Sequence, residues 1–306
     1  MQTILGAGGA IGKPLAKELT QYTNNVRLVS RNPKKINETD ELFPADITDK
    51  KQVERAVEGS EVVYLTAGFP YKAKVWEKVW PKTMKNVVEA CEKYNSKLVF
   101  FDNIYMYDKD CLNGMNEATP VNPISKKGKV RARIAQMLMD KVEKGQVNAL
   151  IARAADFLGA HNSIPYEIIY KNLKNNKKAQ WIGEINKYHN FTNTTDAARG
   201  TAMLGNTDKA YKQIWHLPTD SKNPITAIEL IQLFAKELGK KPKYQILPIK
   251  MMGLIGLFNS TIKELKEMAY QYDRHYIFDS SKFENFFDYK PISIKDGVKA
   301  LVNSNA

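Results

Sequence analysis

The stretch Gln2-Thr3-Ile4-Leu5-Gly6-Ala7-Gly8-Gly9-Ala10-Ile11-Gly12, running on into Lys13 to Leu19, decides the fold. Its first four residues read as a short buried strand and Lys13 to Leu19 as an amphipathic helix, with glycines at the joint. Glycine lets the chain turn tightly off the strand, lets main-chain N–H groups approach a pyrophosphate, and lets the helix pack closely on a sheet. The anion then rests at the positive end of the helix, where unpaired N–H groups and the macrodipole favour negative charge. A strand before and a helix after are the context that makes such a glycine pattern a dinucleotide site. Gly6, Gly8, Gly9, Ala10, Ile11 and Gly12 are therefore the first candidate cofactor contacts.

The next strand tells which dinucleotide to expect. Val26 to Ser30 is apolar enough to be central in a sheet, and it ends in Arg31-Asn32-Pro33-Lys34-Lys35, about twenty residues beyond the glycines. An acidic residue there would accept the ribose 2′-hydroxyl of NAD and repel a 2′-phosphate. Arg31 stands there instead, and a guanidinium holds a phosphate bidentately. NADP is the expected cofactor and NAD the alternative. The competing reading is that Arg31, Lys34 and Lys35 form a solvated loop in a lysine-rich chain.

Outward from this motif, strand and helix patterns alternate. Leu42 to Ala45, Glu61 to Leu65, Lys97 to Phe101 and Asn148 to Ala152 read as strands, and Lys51 to Val57, Val75 to Tyr94 and Ser125 to Lys144 as helices. That order implies an α/β protein with a doubly wound parallel Rossmann sheet, whose ligands gather at the carboxyl ends of the strands. Those ends carry Arg31, Asp46-Ile47, Thr66-Ala67-Gly68 and Asp102-Asn103. Beyond Arg153 the alternation lapses into helical segments (Ser163 to Lys174, Thr226 to Leu238, Glu264 to Tyr272) amid short strands, which suggests a smaller C-terminal substrate-binding lobe. The expected division is a nucleotide-binding domain over 1–157 and a lobe over 158–306, with segments near 190–220 returning to the sheet.

Composition bounds the partners. A chain of 306 residues with 43% hydrophobic content can bury a full core. Its formal charge of +13 raises the question of nucleic acid or a membrane surface. The lysines are dispersed, however, and even the densest run, Lys171 to Lys178, reads as a solvated face. An anionic cofactor and a small-molecule substrate are the economical partners. Met251 to Phe258 is the longest apolar stretch, far short of the ~20 residues of a membrane helix, and is read chiefly as half-buried core, with the lining of a substrate pocket or a partner surface as alternatives. With no secretory signal at the start, a cytoplasmic location without membrane is expected. Cys91 and Cys111 lack the spacing of a disulfide framework or zinc site, and Cys91 reads as a small core residue. His161 and His189 fall in the region assigned to substrate.

These residues resemble a family. Gly6-x-x-Gly9-x-x-Gly12, Ala45-Asp46, Thr66-Ala67-Gly68, Arg153 to Gly159 and Asn190 to Ala198 look like the extended short-chain dehydrogenase/reductase superfamily, in its NAD-dependent epimerase/dehydratase branch. The resemblance covers nearly the whole chain. It implies that Asp46 and Ile47 meet the adenine and that Thr66, Ala67 and Gly68 line the cofactor near its ribose and pyrophosphate. It also implies that the helices Val75 to Tyr94 and Ser125 to Lys144 can pair in a homodimer.

The departures from the family pattern concern its proton relay, formed by a Ser or Thr after the fifth strand and a Tyr with a Lys four residues later. Aligning Tyr107 with the family's Tyr-Gly pair puts Asn103 at the Ser position, while Lys127 stands for Tyr and Arg131 for Lys. Arg131 stays protonated and serves only as an anchor, for the nicotinamide ribose or nearby anions. Lys127 acts as a general acid only where desolvation or a neighbouring cation lowers its pKa, and otherwise anchors an anion of the cofactor. Tyr105 and Tyr107 lie at the right strand end to supply a substitute phenol. The candidate catalytic residues are thus Tyr105, Lys127, Asn103 and Arg131. Two functions stay open: an atypical NADP-dependent oxidoreductase or epimerase-like enzyme acting on a carbonyl, alcohol or activated double bond, and a catalytically silent NADP(H)-binding sensor or interaction protein.

Overall fold

A computed structural model describes residues 1–160 and 163–304. The chain divides into two compact units, one of residues 1–106, 126–153 and 197–217, the other of residues 107–125, 154–196 and 218–306.

The first unit is built on a seven-stranded parallel sheet. Strands β1 (Gln2–Leu5), β2 (Val26–Ser30), β3 (Glu41–Pro44), β4 (Val62–Leu65) and β5 (Lys97–Asp102) are joined by Ala149–Arg153 and Ile214–His216. From one edge, β3 is followed by β2, β1, β4 and β5, and then by those two. Every pairing is parallel, as in Gln2 with Val26 on one side and Val62 on the other. The order reverses between β1 and β4, the switch point at which doubly wound sheets bind ligands. β1 and β4 are buried throughout, which explains why β4 reads as an unbroken apolar run and why neither strand alternates. The polar start of β1 is satisfied inside: Gln2 accepts from the Tyr64 hydroxyl at 2.8 Å and donates to Asn206 at 2.6 Å.

Helices α1 (Gly12–Leu19), α2 (Lys50–Val57), α3 (Ala73–Tyr94) and α4 (Lys126–Glu143) belong to this unit, as does most of the helix Thr194–Gly205. The apolar side chains of α2, α3 and α4 form one core with β1, β4 and β5, including Val53, Trp80, Met84, Val87 and Ile134. Local signals set the boundaries. Asp49 caps α2 by accepting from the Gln52 amide, and Asn95 closes α3 in the left-handed conformation at φ 52°. Cys91 is buried in this core, and burial pushes its thiol well above the ordinary range.

The second unit has its own core around Tyr170, Trp181, Phe191, Leu230, Phe234 and Val298. Its strands are short pairs: Asp156–Leu158 with Phe191–Asn193, Ala179–Ile182 with Tyr244–Leu247, and Asn113–Met115 with Ile277–Phe278. That last pair explains why 107–125, which precedes α4 in sequence, groups with this unit. Of the stretch near 190–220, only 197–217 groups with the first unit, because Phe191–Asn193 is taken up by Asp156–Leu158.

One expectation is overturned here. Met251 to Phe258 is not half-buried core: only Met252 and Gly256 are buried, while Leu254, Leu257 and Phe258 are 70%, 75% and 95% exposed. The stretch forms a short helix, Ile249–Ile255, and a turn, so its apolar side chains divide between two faces instead of meeting one core.

Candidate functional site

The glycines of the first loop have distinct physical reasons. Gly6 sits at φ +101°, and a Cβ there would lie 2.5 Å from the Cα of Ala67. The loops that leave β1 and β4 therefore touch at the switch point, and only glycine permits it. A Cβ on Gly12 would lie 2.7 Å from both Ala7 Cα and the Gly6 oxygen, so the start of α1 packs directly on the loop. Gly8 is the opposite case: it is exposed, with nothing within 4 Å of its Cβ position. α1 also begins without a side-chain cap and without an acidic residue in its first turn. The loop thus has open space at Gly8 beside a helix start that no side chain caps, while the Gly9 amide is taken up by the Gly6 carbonyl at 3.1 Å.

The ends of β2 and β3 frame one flank of this loop. Arg31 is exposed just past β2. Asp46, just past β3, is also exposed; its carboxylate accepts from the Thr48 amide at 2.9 Å, and its own amide donates to Gln52. The Thr48 main-chain hydrogen bond holds the Asp46 carboxyl below its ordinary pKa, with the positive charges of Arg31 and Lys82 assisting. Ile47 is buried beside it. Past β4, Thr66 is buried, Ala67 half-buried and Gly68 exposed.

The relay positions are put to other uses. Arg131 is 3% exposed and is held by Asp102 through two nitrogens, with Nε donating to Oδ1 at 2.6 Å; its Nη2 also donates to the Phe101 carbonyl. Arg153 reaches the other oxygen of Asp102 at 3.4 Å. The Arg131 guanidinium lies 4.4 Å from the Trp80 ring centroid and 4.8 Å from that of Phe100. Arg131 is thus a core cation paired to a buried carboxylate rather than an exposed group. The Asn103 side-chain oxygen accepts from the Tyr105 amide at 3.1 Å and shapes the turn out of β5.

Lys127 and Tyr105 come together through a residue that sequence reasoning passed over. The Lys127 side chain is fully buried, and its ammonium lies 4.5 Å from the centroid of the Tyr71 ring. The Tyr71 and Tyr105 hydroxyls are 3.5 Å apart, and Tyr105 stacks on Trp76 with an interplanar angle of 15°. Both tyrosines are half-buried. Tyr71 follows Thr66-Ala67-Gly68 by three residues, and an aromatic on that strand-end loop was the available signal. Tyr107 belongs to the second unit, where it is buried and bridges Val121.

Of the histidines assigned to substrate, His161 lies outside the described residues. His189 is buried within the second unit: its Nε2 is 3.0 Å from Asp156, which also accepts from the Tyr272 hydroxyl at 2.8 Å, and its ring stacks on Tyr276 at 4.1 Å. It reads as a satisfied core histidine. Tyr166 and Trp181 belong to the core of the same unit.

Residues 6–120 match a family model described as NAD(P)H-binding. No curated protein sequence matches the chain. Solved structures do. A double mutant of dTDP-glucose 4,6-dehydratase from Streptomyces venezuelae, with NAD bound, is similar at a TM-score of 0.80 and 16% identity over 99% of this chain and 96% of its own. UDP-glucose 4-epimerase from Thermus thermophilus, in complex with NAD, gives 0.79 and 17% over 99% and 98%. The Thermotoga maritima UDP-glucose 4-epimerase with UDP-glucose gives 0.80 and 17% over 99% and 98%. At such identities the likeness is one of fold. The first unit has a Rossmann fold, most of the match to the NAD(P)H-binding model falls within it, and the chain is similar in fold to the epimerase/dehydratase structures.

Proposed function

We propose that the protein is an NADP-dependent oxidoreductase or epimerase-like enzyme acting on a small-molecule carbonyl, alcohol or activated double bond. The observation that carries the cofactor half of this reading is the cradle at Gly8, closed on both sides by Gly6 and Gly12, with Arg31 exposed at the end of β2. In this reading the main chain from Gly8 to Gly12 cradles the pyrophosphate, the Gly9 amide being held by the Gly6 carbonyl, Arg31 takes the 2′-phosphate, Asp46 and Ile47 flank the adenine, and Thr66 to Gly68 line the ribose. Bound NADPH supplies a hydride equivalent.

The proton is the chain's own task. With no hydroxyl at Asn103 and the Arg131 guanidinium committed to Asp102, the phenol of Tyr105 is the donor, and Tyr71 stands between it and the Lys127 ammonium. A buried cation against the π-face of Tyr71 favours any negative charge that develops on the paired phenols, the effect that the ordinary Tyr-Lys relay achieves through a neighbouring ammonium. Because the structural neighbours named above act on nucleotide-linked glucose, sugar carbinols and their ketones are the first substrates to screen, followed by simple enones.

The silent alternative is favoured by one observation, the employment of Asn103 and Arg131 in a turn and a core ion pair. NADPH consumption across the substrate panel separates the two. Tyr105→Phe should lower turnover by about a hundredfold while leaving NADPH affinity unchanged. Turnover unaffected by this change removes Tyr105 from the reaction, and failure to turn over any substrate despite tight NADPH binding favours the sensor.

A further inference from the structure

We propose that the apex of the second unit formed by Ile249–Ile255, Ser260–Lys266 and the turn between them seats the protein on the surface of an anionic lipid bilayer. The inner face of this hairpin is accounted for: Met252 is buried, and Ile249, Ile262 and Leu265 pack against the unit's core. The outer face exposes Met251, Leu254, Ile255, Leu257 and Phe258 together. A contiguous apolar patch of this kind marks a binding surface, because isolated exposed leucines are ordinary but an apolar cluster ending in a fully presented phenylalanine is not.

The apex is built, not frayed. The amides of Leu257 and Phe258 donate to Leu254 and Ile255, and Asn259 caps the second helix by accepting from the amides of Thr261 and Ile262. Gly256 allows the two helices to meet, since a Cβ there would lie 2.8 Å from the Met252 oxygen and 3.1 Å from Lys263 Cα. The main chain therefore fixes Leu257 and Phe258 in an ordered turn with their side chains exposed, available for insertion among acyl chains.

Charge selects the partner. Residues 240–266 contain six lysines against one carboxylate, Glu264. Lys250, Lys263 and Lys266 are exposed on the hairpin itself. Lys240, Lys241 and Lys243 line a shallow depression with Lys177, and Tyr244–Leu247 links them to the hairpin over about 13 Å of strand. Apolar side chains at a tip with a basic surround are the composition that binds anionic headgroups while inserting hydrocarbon. A second copy is disfavoured, because an isologous contact through this patch would bring the two lysine clusters face to face. The expectation of no membrane rested on the lack of a spanning helix and on lysines spread through the chain; here six of those lysines fall within 240–266, beside an exposed apolar face.

The test is co-sedimentation of the full chain with phosphatidylcholine vesicles and with phosphatidylcholine vesicles containing phosphatidylglycerol. Binding to the anionic vesicles only, weakened by added salt, is expected. The double variant L257S/F258S should weaken it by at least about tenfold, and K240Q/K241Q/K243Q should weaken it while flattening its salt dependence. Both variants change exposed side chains, so retained NADPH affinity and thermal midpoint report an intact fold. No sedimentation with anionic vesicles, or sedimentation indifferent to L257S/F258S, overturns the proposal. A concentration-dependent dimer abolished by L257S/F258S also overturns it, by assigning the patch to a second copy.

Discussion

Arg131 and Asp102 form a buried ion pair across the top of the Rossmann unit, α4 supplying the cation and the end of β5 the carboxylate, with Arg153 on the second oxygen. Removing one member of such a set leaves charge stranded in a low-dielectric interior, the costly direction for a buried ion pair. Asp102→Asn should therefore destabilise the protein by about 3 kcal/mol or more in urea unfolding. Arg131→Lys should not create a relay: it should lower stability without raising any turnover. A gain of activity in Arg131→Lys would show that Arg131 is a catalytic position after all.

The two extremes among the loop glycines separate binding from folding. Gly12→Ala meets main chain at 2.7 Å, so it should cost about 1–3 kcal/mol of stability and weaken cofactor binding together. Gly8→Ala has open space around its Cβ and should leave the unfolding midpoint unchanged while weakening NADPH binding by about tenfold or more. Equal affinity for NADPH in wild type and Gly8→Ala would mean that the pyrophosphate does not lie over Gly8.

The sheet was legible because its signals are local and redundant. β4 and the middle of β5 are apolar runs, β1 and β2 are largely apolar, each is closed by polar or glycine residues, and the spacing from Gly12 to Arg31 is that of a helix and a return strand. The glycine loop between β1 and α1 was legible for the same reason. The partners of Asn103 and Arg131, the Tyr105 amide and Asp102, were not, because they are matters of side-chain direction. Tyr71 was missed since nothing local announces that its hydroxyl approaches Tyr105. The Met251 to Phe258 stretch was misread because hydropathy records apolarity but not which face is covered.

Thiol reactivity should follow burial. Cys91 is buried in α3 with its thiol pushed upward by desolvation, whereas Cys111 is partly exposed, and both are free. A thiol reagent at neutral pH should modify Cys111 alone in the native protein and both after denaturation. Rapid modification of Cys91 in native protein would contradict its place in the core.

Alkali should destabilise the fold through buried phenols. Burial pushes Tyr270 up to about 12, the Ser125 hydrogen bond opposing this, and burial also raises Tyr64 and Tyr211 beyond the ordinary phenol range. These groups keep their protons in the native state after the unfolded chain has lost them, so their contribution is complete below pH ~10 and is lost as pH rises towards ~12. Urea midpoints should accordingly fall across that window, with fewer than fifteen tyrosines ionising before unfolding. Ionisation of all the tyrosines without unfolding would oppose this.

The nucleotide site itself is tested most directly by calorimetric titration of cofactor-free protein with NADPH and NADH at matched ionic strength, in the wild type and in Arg31→Ala. A charge-assisted contact to the 2′-phosphate predicts tighter NADPH binding, lowered by about tenfold or more in Arg31→Ala while NADH affinity holds. Equal binding of the two cofactors would remove Arg31 from that role, and binding of neither would contradict the dinucleotide site on which the proposed activity rests.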